Sequence, residues 1–234
     1  MPTKHIGIVG CSSEGAALCY RTVCVEAAAR MGLHNHPEVS MHTFPLAAYN
    51  PGIDNNDWQL VADLMLGSAK KLALAGADFL ICPDNTIHQA MPLLAGKLPL
   101  PWLHIADAVI DEARTRGFHR IGLLGTRSLV LSSVYSERLI AAGMECVRPT
   151  DEEREQLSSI IMNELVCGIF RPESIAAYLR VVERMKSAGC DAVILGCTEI
   201  PLILNDGNSP LPVLDSTRLL ARAALRRALE SSEF

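Results

Sequence analysis

Apolar residues along the chain follow two alternating rhythms. Short runs with no polar break, such as Ile6-Gly7-Ile8-Val9, Phe79-Leu80-Ile81, Ile121-Gly122-Leu123-Leu124 and Ala192-Val193-Ile194-Leu195, have the length and composition of strands buried on both faces. Between them lie longer stretches with helical spacing. The segment 57–74 places Trp58, Val61, Leu64, Met65 and Leu72 near one helical face, and Gly76 ends it. The predicted order is strand 5–10, helix 17–32, strand 39–44, helix 57–74, strand 78–82 and strand 101–105. The order then begins again with strand 120–125, strand 144–149, a helix through 166 opened by a Thr150/Glu153 capping box, helix 173–188, strand 191–196, strand 212–215 and a last helix to about 230. Alternation of this kind predicts an α/β protein with a mainly parallel sheet covered by helices.

The second half repeats the first. Residues 4–10 (KHIGIVG) align with 119–125 (HRIGLLG), the strand ending at Asp84 with the strand ending at Cys197, and PLPWLH (99–104) with PLPVLD (210–215), at offsets of 115, 113 and 111 residues. Near-constant offsets predict two pseudo-symmetric α/β lobes, each a four-stranded, mainly parallel sheet flanked by helices. The expected boundaries are 1–105 for the first lobe, completed by a C-terminal helix 214–234, and 106–213 for the second. The period is far too long for a solenoid. Ligands of open α/β sheets sit beyond the carboxyl ends of the strands. The expected active site is therefore a cleft between the lobes, lined by Cys11, Ser12, Ser13, Asp84, Asn85 and Thr86 from one copy and Thr126, Arg127, Cys197, Thr198 and Glu199 from the other.

Composition narrows the function classes. Of 234 residues, 49% are apolar and 20% charged, and the net charge is −5, so there is no basic footprint for nucleic acid and no polybasic patch for a membrane. No apolar run approaches the roughly 18 residues of a membrane span, and the opening MPTKHIGIVG leads directly into a strand, which predicts a cytoplasmic protein. Eight cysteines form no CxxC and no repeated pair spacing, which argues against a disulfide framework or structural zinc. His34, His36 and His42 lack further ligand spacing, so no metal is expected. GCSSEG (10–15) lacks the Gly-Lys-Ser/Thr ending of a nucleotide loop, and a small carboxylate fits it better.

Two ionisable groups at equivalent strand ends suit chemistry in which one removes a proton from carbon and the other returns it. The segments Asn85-Thr86-Ile87-His88, Leu124-Gly125-Thr126-Arg127, Tyr135 with Glu137 and Arg138, and above all Ile194-Leu195-Gly196-Cys197-Thr198-Glu199-Ile200-Pro201 resemble the aspartate/glutamate (and hydantoin) racemase family along essentially the whole chain. The resemblance implies a cofactor-independent isomerase of amino acids, PLP-independent and homodimeric, that interconverts L and D forms of aspartate, glutamate or a related α-substituted carboxylate. It implies Cys197 as the second-lobe acid/base, Asn85, Thr86 and Thr198 as holders of the substrate carboxylate or amino group, Ser12 and Ser13 as helpers, and Arg171 in a segment where some members carry a cation.

The chain departs from the family pattern where many members have a partner cysteine and some have Thr, because it has Asp84. Asp84 would act as the partner acid/base, set the charge against which Cys197 works, or cap the following helix; Cys82 is an alternative thiol. Alternatives from the same superfamily are a decarboxylase or isomerase using a single cysteine, similar to arylmalonate decarboxylases. A non-catalytic two-lobe binding protein is a third. His88 reads as a core histidine without the resemblance, and Glu199 as a first-turn acid that caps a helix or tunes nearby donors. Tyr49 stands near where some racemases carry an arginine for a distal carboxylate, weak ground for selectivity toward aspartate.

Overall fold

The computed structural model describes residues 3–230; the end of the expected C-terminal helix, 231–234, lies outside the described residues. By internal packing the chain divides into two compact units, Met1–Ala108 with Thr217–Phe234, and Val109–Ser216.

The first unit runs β1 (Ile6–Gly10), α1 (Ser13–Met31), β2 (Val39–Thr43), α2 (Leu46–Asp54), α3 (Trp58–Leu74), β3 (Phe79–Ile81), a 3-10 helix (Thr86–Leu94) and β4 (Trp102–Leu103); the chain then enters α4 (Ile105–Thr115). The second continues with β5 (Arg120–Leu124), α5 (Arg127–Leu131), α6 (Ser136–Ala141), β6 (Glu145–Val147), α7 (Asp151–Asn163), a 3-10 turn (Leu165–Cys167), α8 (Pro172–Ser187), β7 (Ala192–Leu195), a 3-10 turn (Ile200–Leu202) and β8 (Val213–Asp215). Helix α9 (Ser216–Leu229) returns to the first unit.

Both sheets are four-stranded and parallel, in the orders β2-β1-β3-β4 and β6-β5-β7-β8. The repeat extends to single bonds. Asp78 Oδ2 accepts from the His5 N–H at 2.6 Å where β1 meets β3, and Asp191 Oδ2 accepts from the His119 N–H at 2.7 Å at the corresponding place. Likewise the Leu80 N–H donates to Pro101 and the Val193 N–H to Pro212.

Parallel strands buried on both faces explain the unbroken apolar runs. In the first unit, Val9, Leu80 and Cys82 pack toward Tyr49, Val61, Met65 and Leu72, whereas Ile6, Ile8, Phe79 and Ile81 pack toward Cys19, Val23, Leu220 and Ala224. In the second, Leu124, Val193 and Leu195 pack with Leu157, Ile161, Tyr178 and Val182.

Several local expectations are corrected. Residues 46–54, in the stretch between strand 39–44 and helix 57–74 where the sequence pattern predicts no element, are helix α2 although Pro51-Gly52 reads as a turn. A Cβ at Gly52 would stand 2.8 Å from Val61 Cγ2, so close packing against α3 keeps this segment helical despite its punctuation. Helix α7 stops at Asn163, three residues short of the expected Val166, because Glu164 leaves helical geometry and Gly168 turns left-handed at φ 72°. The helix expected to follow Asp84 is a 3-10 segment, Thr86–Leu94, and His88 lies in it.

Candidate active site

In the first unit the loop after β1 and the turn after β3 are adjacent because their strands pair, Ile8 opposite Ile81. Ser12 caps α1, its Oγ accepting from the Gly15 N–H at 3.2 Å. The backbone N–H groups of Ser12 and Cys11 point at the Asp84 carboxylate, donating to Oδ2 at 2.9 and 3.2 Å. The positive end of a 19-residue helix and two main-chain donors thus hold one carboxylate oxygen. Ser13 is the first residue of α1 and is exposed, Asn85 is buried, and Thr86 is partly exposed at the start of the 3-10 helix.

Two thiols lie beside Asp84. Burial, and then the charge of Asp84, push both Cys11 and Cys82 well above the usual thiol range. Neither is suited to exist as a thiolate, and the Cys82 thiol instead donates to the Asp84 carbonyl at 3.8 Å. Asp84 also receives a bond from His88, whose Nδ1 lies 2.7 Å from its carbonyl oxygen.

In the second unit, Gly196 lets β5 and β7 approach at their carboxyl ends. Its N–H donates to the Leu124 carbonyl at 2.8 Å, and an added Cβ would stand 2.7 Å from that oxygen. Cys197 follows, half-buried, and its Sγ donates to Glu199 Oε2 at 2.9 Å. The Thr198 hydroxyl donates to the same oxygen at 2.7 Å. Thr198 and Glu199 are each 6% exposed, so a thiol and a carboxylate meet where little water competes. Burial, then Cys197 and Glu199, push the Tyr178 phenol well up, and its hydroxyl donates to the Leu157 carbonyl at 3.2 Å.

The remaining sequence candidates have local partners. Thr126 Oγ1 caps α5 by accepting from the Leu129 N–H. Arg127 is exposed and pairs with Glu155 at 2.9 Å. Arg171, also exposed, precedes Pro172 at the start of α8 and lies 3.7 Å from Glu164. The sequence reading missed the Cys11 N–H as a ligand of Asp84 and the direct pairing of Glu199 with Cys197. A cysteine two residues before an acid at a strand end was the available signal for the second; main-chain donors leave none.

Comparison with known proteins places the chain in a family. The family model described as Asp/Glu/Hydantoin racemase matches residues 8–224. A Yersinia pestis protein of known structure, classed with the Asp/Glu racemases, is 33% identical and superposes with a TM-score of 0.90 over 97% of this chain and 100% of its own. An aspartate racemase homologue from Pyrococcus horikoshii is 29% identical with a TM-score of 0.85, again over 97% of this chain and 100% of its own. The broad specificity amino-acid racemase RacX of Bacillus subtilis is 24% identical over 196 residues, 82% of either chain. With the family model spanning nearly all of both sheets, the chain belongs to the Asp/Glu/hydantoin racemase family.

Proposed function

We propose that the protein is a cofactor-independent amino-acid racemase that interconverts the L and D forms of aspartate, glutamate or a related α-substituted carboxylate. One observation carries the reading: the Cys197 thiol donates to the buried Glu199 carboxylate at 2.9 Å, so a proton acceptor stands ready to leave a thiolate at the strand end. Racemase relatives support the reaction class.

The steps balance as one proton removed and one returned. Cys197 as thiolate takes the α-proton and becomes a thiol; the carboxyl of Asp84 gives its proton to the opposite face of the planar carbanion and becomes a carboxylate. The reverse sequence serves the other enantiomer. The Cys11 and Ser12 N–H groups donate to Asp84 Oδ2, so a proton on this carboxyl is assigned to Oδ1. Asn85, Thr86 and Thr198 then hold the substrate carboxylate or amino group, and Ser12, Ser13, Thr126, Arg127 and Arg171 are the further candidate substrate contacts. The reading includes a homodimer, on family grounds, and a cytoplasmic location.

Proton NMR in heavy water with a panel of D- and L-amino acids tests it. Loss of the α-proton signal with wild type and none with Cys197→Ala is expected; full activity in that variant overturns the assignment.

A second reading is favoured by the way Asp84 Oδ2 is tied to two backbone donors, which suits a fixed anion better than a mobile acid. Decarboxylation of a malonate, with Cys197 alone protonating the carbanion, needs only one proton donor. Carbon dioxide release from substituted malonates, without α-proton exchange on amino acids, selects it.

A further inference from the structure

The chain leaving β3 makes an unusual connection at Asp84. In an α-helix the carbonyl of residue 84 would accept from the N–H of residue 88. Here the segment is 3-10, and the His88 N–H donates to the Asn85 carbonyl at 3.2 Å instead. Asn85, at the N-cap position, makes no side-chain capping bond. The Asp84 carbonyl is bonded by the imidazole of His88, Nδ1 to O 2.7 Å, with the Cys82 thiol more distant at 3.8 Å. The side chain of residue 88 has taken the place of its main chain.

The other face of the ring defines its proton. Trp102 Nε1–H, which can only donate, points at His88 Nε2 at 3.4 Å. Nε2 must therefore be the acceptor and Nδ1 must carry the hydrogen, the same tautomer the Asp84 carbonyl requires. Two bonds to different atoms thus agree on one neutral ring. His88 is 2% exposed, and the ring of His104 packs edge-on at 4.4 Å, its own Nδ1 accepting from the Ala106 N–H at 3.1 Å.

We infer that His88 is a positioning residue: locked by Trp102 as the Nδ1–H tautomer, it clamps the Asp84 carbonyl and so sets the aim of the Asp84 carboxylate and of the Asn85-Thr86 turn. The inference rests on the reading of Asp84 as a group that meets the substrate. It belongs to one copy of the repeat only. At the same offset of 113 residues the second copy has Pro201, and the Cys197 carbonyl accepts from the Ile200 N–H at 3.3 Å.

The test pairs a spectroscopic signature with two variants. Long-range proton–nitrogen correlations on 15N-labelled protein should show, for the histidine whose signals vanish in His88→Asn, a protonated Nδ1 and a bare Nε2. An Nε2–H ring or an imidazolium overturns the inference. His88→Asn keeps a donor nitrogen at the Nδ position, and His88→Leu removes it. Both lose the acceptor for Trp102, so both should lose stability. His88→Leu should lower kcat roughly 10- to 100-fold with KM nearly unchanged, and His88→Asn should recover to within about threefold of wild type. Equal losses in the two variants would make His88 a packing residue and overturn the inference. Should His88→Leu fail to fold, the tautomer and the activity of His88→Asn decide. If the wild type exchanges the α-proton of no amino acid, the racemase reading fails by itself. The amide shifts of Asn85 and Thr86, moved in His88→Leu and restored in His88→Asn, then decide the clamp.

Discussion

Glu199 shares one carboxylate oxygen between the Cys197 thiol and the Thr198 hydroxyl, and that sharing separates a structural role from a chemical one. A glutamine at this position can still accept from Thr198 through its carbonyl oxygen but cannot take a proton from sulfur. Glu199→Gln should therefore fold normally, bind substrate with little change in KM, and lose roughly 10²- to 10⁴-fold in kcat. Steady-state kinetics with a circular-dichroism readout of chirality checks this, and a kcat within a few-fold of wild type would reduce Glu199 to a capping residue. Tyr49 shows the opposite kind of residue. Its side chain is fully buried and its hydroxyl has no hydrogen-bond partner among the described residues. Burial, then the neighbouring thiols of Cys82 and Cys11, push the phenol well up, while Ser68, whose Oγ lies 2.9 Å from His42 Nδ1, acts to lower it. Removing an unpaired buried hydroxyl should help the fold, so Tyr49→Phe is expected to gain about 1 kcal/mol in urea unfolding. A loss of stability would show that the hydroxyl does have a partner. The burial of Tyr49 also weakens the ground on which aspartate selectivity was read from its position.

Among the elements, α7 and α8 are tied by one ion pair with a definite pH signature. Arg184 on α8 donates to both oxygens of Glu153 at 2.6 Å, while the Thr150 N–H and Oγ1 complete the capping box that the sequence predicts. Burial by itself would raise the Glu153 pKa, but the Arg184 and Thr150 bonds outweigh it and hold the carboxyl below its ordinary value of 4.5. A depressed carboxyl contributes stability above its unfolded pKa and loses it as pH falls through the folded one. Arg184→Gln should thus cost about 0.5–1 kcal/mol at pH 7 and less near pH 3, measured by urea unfolding at both. An equal cost at the two pH values would assign the effect to packing of the arginine stem. The capping box was legible because Thr-x-x-Glu before a helical run is a local signal. The same is true of Asp84 and Cys197, where two aligned apolar runs end at matching places. Helix α2 and the 3-10 segment after Asp84 were not legible. The first is held against its Pro51-Gly52 punctuation by packing on α3, and the second depends on an imidazole bond to a carbonyl and an indole from β4. Tertiary partners decide both, and no short window of sequence contains them.

At the scale of the whole chain, the duplication is simple in its strands and asymmetric in its connections. The second unit is one continuous segment, whereas the first is completed by α9, more than a hundred residues after β4. Leu220, Ala221, Ala224 and Ala228 of α9 lie in one core with Ile6, Ile8, Phe79 and Ile81, the Lys4 N–H donates to the Ala228 carbonyl at 2.9 Å, and Arg222 pairs with Glu26 at 2.8 Å. The cluster on one face of the second sheet draws instead on α7 and α8, with Leu124, Val193 and Leu195 against Leu157, Ile161, Tyr178 and Val182, and Leu220 belongs to the first sheet's cluster. A cavity at Leu220 should therefore weaken a sheet that is distant in sequence and spare one that precedes it closely. Leu220→Ala is expected to destabilise the first unit by about 2–5 kcal/mol. Native-state hydrogen exchange followed by mass spectrometry should show faster exchange in β1 and β3 and unchanged protection in β5 and β7. Equal acceleration in all four strands would mean that the units open together, and that α9 supports the whole chain as one cooperative block instead of closing the first sheet alone.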